Sequence, residues 1–114
     1  MNYDLEKRTL DFSKDVITCC RKIKITPLNT NIISQLLRSS TSVGANYREA
    51  NASSSKNDFR NKIHICRKEI QETEYWLELL VEVNSEHKEQ LKDIWKEAHQ
   101  LTLIFNKISS TLKH

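Results

Sequence analysis

Residues 56–83 read KNDFRNKIHICRKEIQETEYWLELLVEV, and the placing of their apolar residues decides the class of fold. Phe59, Ile63, Cys66, Ile70, Thr73, Leu77 and Leu80 follow one another at alternating spacings of four and three. An α-helix turns once every 3.6 residues, so positions three and four apart share a face, whereas a strand repeats every second residue. The stretch is therefore expected to be a helix with one apolar seam, of the kind that packs in bundles and coiled coils. Its start is written just upstream. Ser55-Lys56-Asn57-Asp58 places a hydroxyl at the N-cap position and an acid three residues on, the capping-box arrangement.

Outward from this helix the same rhythm recurs. Leu91, Ile94, Ala98, Leu101, Phe105, Ile108 and Leu112 predict a helix over about residues 86–112, set off by Asn84-Ser85. Upstream, Ile32/Ile33, Leu36/Leu37, Ser40, Val43 and Tyr47 form the buried side of a helix over about 30–51. Leu5, Phe12, Val16, Cys19 and Ile23 do the same for one over about 4–23. Between these two, Thr26-Pro27 ends the first helix, because the residue before a proline is pushed out of the helical region, and Asn29 or Thr30 can then cap the second. Short connections make sequence neighbours antiparallel. The expected fold is all-α: a single-domain, up-down-up-down antiparallel four-helix bundle covering residues 1–114.

Composition agrees. The chain of 114 residues contains one Gly and one Pro, against averages of about 7% and 5%, so it lacks the residues that hairpins and tight turns use most. A core of this size buries roughly two-thirds of the unfolded chain's surface and leaves no room for a second domain. Cys19, Cys20 and Cys66 form no CxxC pair, and their odd number leaves a free thiol; a reducing, cytoplasmic location fits best. The N-terminus carries charge throughout, and no apolar run approaches the roughly 18 residues of a membrane span.

The net charge of +3 is small but unevenly spread. Residues 38–68 hold seven Lys and Arg against two acids, a balance of +5, whereas residues 69–97 hold nine acids against three lysines, a balance of −6. Acidic and basic faces of neighbouring helices or subunits would attract, and a basic segment could equally meet an anionic ligand. Within that segment Lys56, Arg60, His64 and Arg67, spaced four, four and three with Lys68 alongside, line one side of the helix. Such a row can follow phosphates, and Arg48 adds to the same charge; an ordinary solvated face would look the same.

No enzyme signature accompanies it. Gly44 alone cannot build a phosphate-binding loop, and there is no HExxH, no spaced Cys/His set and no GxSxG. His64 and Cys66, two residues apart, diverge on a helix instead of converging on a metal. Arg60 and His64 are separated by three residues, fewer than the four to six of HEPN-type ribonucleases, and the cysteines read as core filler. No catalytic, cofactor or metal residue is therefore expected. The apolar residues, by contrast, exceed what the seams use: Tyr3, Leu10 and Ile17 form a second stripe on the first helix, Ile65, Trp76, Leu79 and Val83 lie beside the seam of the third, and Trp95 flanks that of the fourth. Leu10, Ile17, Trp76, Leu79 and Trp95 are candidates for an oligomer interface, since surplus apolar surface with Trp anchors usually marks one. A broad core-facing stripe is the alternative.

The second helix carries its own oddity. Arg38, Ser42, Asn46 and Glu49 share a polar stripe within the run Ser39-Ser40-Thr41-Ser42-Val43-Gly44. Glycine in a helix interior costs about 1 kcal/mol relative to alanine, which close approach of another backbone, with hydrogen bonds within or between subunits, would offset. Residues 35–50, QLLRSSTSVGANYREA, together with SKNDF at 55–59 and KEIQETEYWL at 68–77, resemble the 23S rRNA intervening-sequence proteins, a four-helix-bundle family that includes the accessory variability protein of diversity-generating retroelements. The specific signal is RxxxSVxxN with a glutamate three residues later, carried by Arg38, Ser42, Val43, Asn46 and Glu49. The resemblance implies a bacterial, non-catalytic homo-oligomer, a pentameric barrel-like ring that binds nucleic acid (RNA or DNA) and, in the retroelement members, a reverse transcriptase. It also implies a family-motif role for Arg38, Ser42, Asn46 and Glu49. A protein-interaction adaptor, docking through the acidic segment without nucleic acid, is the alternative.

Overall fold

The computed structural model describes residues 2–112, with side chains from Asp4 onward. Four helices account for nearly all of it: α1 (Asn2–Arg21), α2 (Thr30–Asn51), α3 (Lys56–Val83) and α4 (Lys88–Thr111), the last preceded by a 3-10 turn at Ser85–His87. No strand occurs among the described residues. Each of α1 and α3 packs against both α2 and α4, so the helices stand in a square with α1 and α3 on one diagonal. Cross-helix bonds fix the directions. Ser13 Oγ donates to the Ser40 carbonyl while Asn51 Nδ2 donates to Glu6, so α1 and α2 run antiparallel. Cys66 beside Val43 and Thr73 beside Ser39 set α3 against α2, and Trp95 with Glu78 and Arg67 with Asn106 set α4 against α3. The bundle measures 44 × 21 × 19 Å.

The seam residues read from the sequence form the core. Phe12, Val16, Cys19, Leu36, Val43, Tyr47, Ile63, Cys66, Ile70, Leu77, Leu80, Leu91, Ala98, Leu101 and Phe105 are all buried. Leu5, Phe59, Ile108 and Leu112 sit at the bundle's ends and are only partly covered. Tyr3, the first member of the expected second stripe on α1, has its side chain outside the described residues.

Helix ends differ from expectation in three instructive ways. α1 stops at Arg21 instead of residue 23, because Lys22 and Ile23 donate to Cys19 and Cys20, three residues back, at 3.1 Å each; this tightening closes the helix. Asn29 occupies the N-cap of α2 but its side chain makes no cap bond. Its Oδ1 accepts from the Thr26 N–H at 2.8 Å, and its Nδ2 donates to the Lys24 carbonyl and to Asn84 Oδ1, both at 2.9 Å. Asn29 therefore ties the α1–α2 loop to the α3–α4 loop at the same end of the bundle. α4 begins at Lys88, two residues later than predicted, because the 3-10 turn takes up the connection. The α3 start is as expected, with Ser55 Oγ accepting from the Asp58 N–H at 3.0 Å.

The small-residue run of α2 lets two helices approach it. A Cβ placed on Gly44 would lie 3.1 Å from Thr9 Oγ1 and 3.5 Å from the Thr9 backbone carbonyl carbon, so α1 crosses α2 at the one position without a side chain. On the other side Thr73 Oγ1 lies 2.9 Å from Ser39 Oγ and 2.8 Å from the Glu69 carbonyl. Polar groups in this dry seam are thus paired, as burial requires.

Candidate nucleic-acid interface

The first half of α3 carries the basic row that its spacing predicts. Lys56, Arg60, His64 and Lys68 are exposed and Arg67 is half-buried. From Lys56 to Arg67 the helix rises about 16 Å, the axial length of roughly five nucleotides in one duplex strand. Arg60 Nη1 donates to Asn57 Oδ1 at 3.2 Å, and Arg67 Nε donates to Asn106 Oδ1 of α4 at 2.8 Å. Both partners are neutral amides, which hold the guanidinium without cancelling its charge. Beside Lys56 and Arg60, an open groove of about 590 Å³ runs between the α2–α3 turn and the end of α4.

Several cations elsewhere in the molecule are matched to acids, although Lys14, Arg21, Lys22, Lys24, Lys88, Lys92, Lys96 and Lys107 make no ion pair among the described residues. Arg8 pairs with Glu97 at 2.7 Å, Lys62 with Glu49 at 2.8 Å, and Arg38 with both Glu69 and Glu72. No ion pair among the described residues includes Lys56, Arg60, His64, Arg67 or Lys68. Arg48, grouped with the row from its charge, does not join it. Its Nε lies 3.9 Å from a carboxylate oxygen of Glu6 of α1, and α1 stands diagonally across the bundle from α3.

Four of the acids of the second half of α3 are used within the chain. Glu69 is buried beneath Arg38, which donates to it at 3.2 and 3.3 Å. Glu72 accepts from Arg38 and, at 3.0 Å, from the Trp76 indole N–H. The indole bond, with the Arg38 charge behind it, holds the Glu72 carboxyl below its ordinary value. Glu74 accepts from Thr102 and lies 3.4 Å from His99 Nδ1, while Glu78 accepts from the Trp95 indole at 3.1 Å. The two oppositely charged halves of α3 are therefore not equivalent: Glu69, Glu72, Glu74 and Glu78 fasten α2 and α4, whereas Lys56, Arg60, His64 and Lys68 face outward.

On α2 the polar stripe, half-buried at Ser42 and Asn46 and exposed at Arg38 and Glu49, is engaged as well. Arg38 and Glu49 reach α3 through the pairs just described, and Asn46 Nδ2 donates to the Ser42 carbonyl at 2.8 Å and to Ser42 Oγ at 2.9 Å. All four residues are engaged within one chain.

The 23S rRNA-intervening sequence protein family matches the chain over residues 1–107. The chain is a member of that family. Among solved structures it is similar to a protein of unknown function from the S23 ribosomal protein family of Bacteroides thetaiotaomicron, with a TM-score of 0.82 and 32% identity over 96% of this chain and 97% of that one. No curated protein matches. In this intervening-sequence protein the RxxxSVxxN stretch is thus a device that joins α2 to α3.

The remaining chemistry of this family member is quiet. All three cysteines are buried and free. Burial pushes the Cys20 thiol up to about 11 and the Cys66 thiol up to about 12, far from the thiolate that nucleophilic chemistry needs. No group of three His, Cys, Asp or Glu among the described residues could hold a metal, and no helix among them is long and apolar enough to cross a membrane.

Of the five interface candidates, Leu10 and Ile17 are the open ones, at 37% and 40% exposed. Leu79 is half-buried, and Trp76 and Trp95 lie partly against the core. Trp95 is stacked on His99 with ring centroids 5.0 Å apart and planes within 6°. Missed from sequence in the α1–α2 loop are Ile25 at 57% and Leu28 at 74% exposed. Missed on the helices are Tyr75 at 56% and Leu103 at 49%. Both fall between seam positions, and an apolar residue directly opposite a seam was the available signal.

Proposed function

We propose that this protein is a non-catalytic, cytoplasmic scaffold, a homopentameric ring, that binds nucleic acid along the first half of α3. The observation that carries the binding surface is a contrast. Five basic residues clustered on one stretch of α3 make no ion pair among the described residues, and four of the acids that follow them on the same helix, Glu69, Glu72, Glu74 and Glu78, are engaged by α2 and α4. Phosphates supply the counter-charge that the chain withholds. The pentamer is carried over from the family resemblance and agrees with the exposed Leu10, Ile17 and Tyr75.

Two measurements test this. Light scattering should return five times the 13.4 kDa of one chain, and a monomer at micromolar concentration sinks the ring. Fluorescence anisotropy with a labelled RNA hairpin and a DNA duplex should show affinity that falls steeply with salt. Arg60→Ala should lower the logarithmic salt slope by about 0.9 for each duplex phosphate that a subunit no longer neutralises. Binding that is absent at low salt, or unchanged by Lys56→Ala and Arg60→Ala together, rules the surface out. A reverse transcriptase is the protein partner this reading admits, and its capture by the row-less variant would place it on a separate surface.

A further inference from the structure

Two outward faces of this bundle complement each other in both apolarity and charge. On α1, Leu10 and Ile17 stand seven residues apart, so nearly on one line, and are 37% and 40% exposed. Lys14 and Arg21, also exposed and seven apart, run alongside them. On α3, Tyr75 is 56% exposed and rests edge-on against Trp76 at 5.1 Å, a ring that Glu72 holds by its indole N–H. Leu79 follows one turn later, and exposed Glu78 and Glu82 border the pair. One face is apolar with cations, the other apolar with anions. Either face against itself would set like charges together, which costs binding and excludes a symmetric pairing.

Resting on the oligomeric reading above, we infer that the α1 face of one protomer docks on the α3 face of a second copy, head to tail. Leu10 and Ile17 pack on Tyr75 and Leu79, and Lys14 and Arg21 meet Glu78 and Glu82. The two faces lie on helices at opposite corners of the bundle, so every protomer offers both at once. An interface of this heterologous kind propagates from copy to copy and closes as a ring where the rotation allows. Position along α3 matters too. Tyr75 to Glu82 occupy the second half of the helix, so docking there leaves Lys56, Arg60 and His64 uncovered and repeats the basic row once per subunit around the assembly.

Charge reversal tests the pairing. The full chain is compared by sedimentation velocity as wild type, as Lys14→Glu/Arg21→Glu, as Glu78→Lys/Glu82→Lys, and as the variant carrying all four changes. Each double variant should dissociate at least 10-fold more readily, and the four-fold variant should reassemble because the complementarity is restored with its sign inverted. Ile17→Glu, which removes no hydrogen bond, should dissociate the assembly as well. Helicity by circular dichroism must stay at the wild-type level, a check needed for Glu78 because it also accepts from Trp95. Assembly that survives both double variants overturns the α1–α3 pairing while leaving the oligomer itself standing. Dissociation by the α1 reversal alone overturns it in favour of α1 docking on a surface other than the Glu78 and Glu82 face. A monomeric wild type overturns the oligomeric reading and this pairing together, whereas nucleic-acid binding is read separately through Arg60→Ala.

Discussion

The polar stripe of α2 and the basic row of α3 look alike as patterns. Each places four polar or charged side chains at spacings of three and four along one side of a helix. Their surroundings separate them. Arg38, Ser42, Asn46 and Glu49 find every partner inside the chain, on α3 or one turn away on α2, so their work is to hold α2 in place. Lys56, Arg60, His64 and Lys68 make no ion pair among the described residues, and the charge of Lys68 is felt by an acid, Glu72. Periodicity tells which residues share a face, and only the facing helix tells whether that face is already occupied. The distinction is a claim about energetics: changes on the α2 side should alter stability, and changes in the α3 row should alter binding alone.

The largest break should come from Gly44→Leu. Leucine gains about 1 kcal/mol of helix propensity over glycine. Its first carbon, however, would sit 3.1 Å from Thr9 Oγ1 and 3.3 Å from Thr9 Cβ, and the rest of the side chain must push α1 away. Overpacking of this kind costs about 1–3 kcal/mol, and the nearness of the Thr9 backbone places it at the upper end. A net loss of about 2 kcal/mol lowers the midpoint of thermal unfolding by about 8 °C. An unchanged midpoint by circular dichroism would mean that α1 does not rest on α2 there.

Arg38→Ala should cost less, about 1–2 kcal/mol. Glu69, only 8% exposed, loses its cation, which argues for a large effect. The Arg38 side chain is itself 46% exposed, so water screens the pair and water can replace it. Urea unfolding of the variant measures the balance, and a loss below the error of extrapolation would make the stripe decorative.

Smaller again is the acid response of Glu72. Its folded carboxyl is held below the ordinary value of 4.5, first by the Trp76 indole N–H and then by Arg38. A carboxylate with a lowered folded value adds stability that is fully present above the unfolded value and is lost as pH falls through the folded one. Trp76→Phe removes the first cause, so the stability difference between wild type and variant should be constant near pH 7 and shrink below about pH 4.5. A difference independent of pH from 7 to 3 would assign the whole effect of Trp76 to packing.

Much of this was legible in the sequence, and what was not had one cause. The seam of α3 is visible because its spacing is local, and Ser55 caps it because the acceptor and donor lie three residues apart. Local signals survive without the fold. Asn29 reads as a helix cap, and its bond to Asn84 is hidden because that residue is 55 positions away. Arg48 groups with the α3 row by charge, yet Glu6 draws it to α1. The acidic second half of α3 could not be recognised as internal fastening until Thr102, His99 and Trp95 of α4 stood opposite it. In each case the missing fact was a side chain distant in the sequence.

The smallest expected effect on stability is also the sharpest test of the comparison. Lys56→Ala/Arg60→Ala removes two exposed cations, neither in an ion pair among the described residues, and Arg60 gives up one bond to Asn57 at 3.2 Å on the surface. Substitutions of that kind stay within about 0.5 kcal/mol, and relief of repulsion along the row offsets even that. Against nucleic acid the same variant leaves two phosphates per subunit unneutralised, about 1.8 in the logarithmic salt slope for a duplex or about 1.4 for a single strand if both cations engage. Arg38→Ala should behave in the opposite sense, less stable but unchanged in salt slope once the temperature is set below its own unfolding. A row variant that unfolds early while binding normally would reverse the roles assigned to the two helices, because its cations would then be holding the bundle and not the ligand.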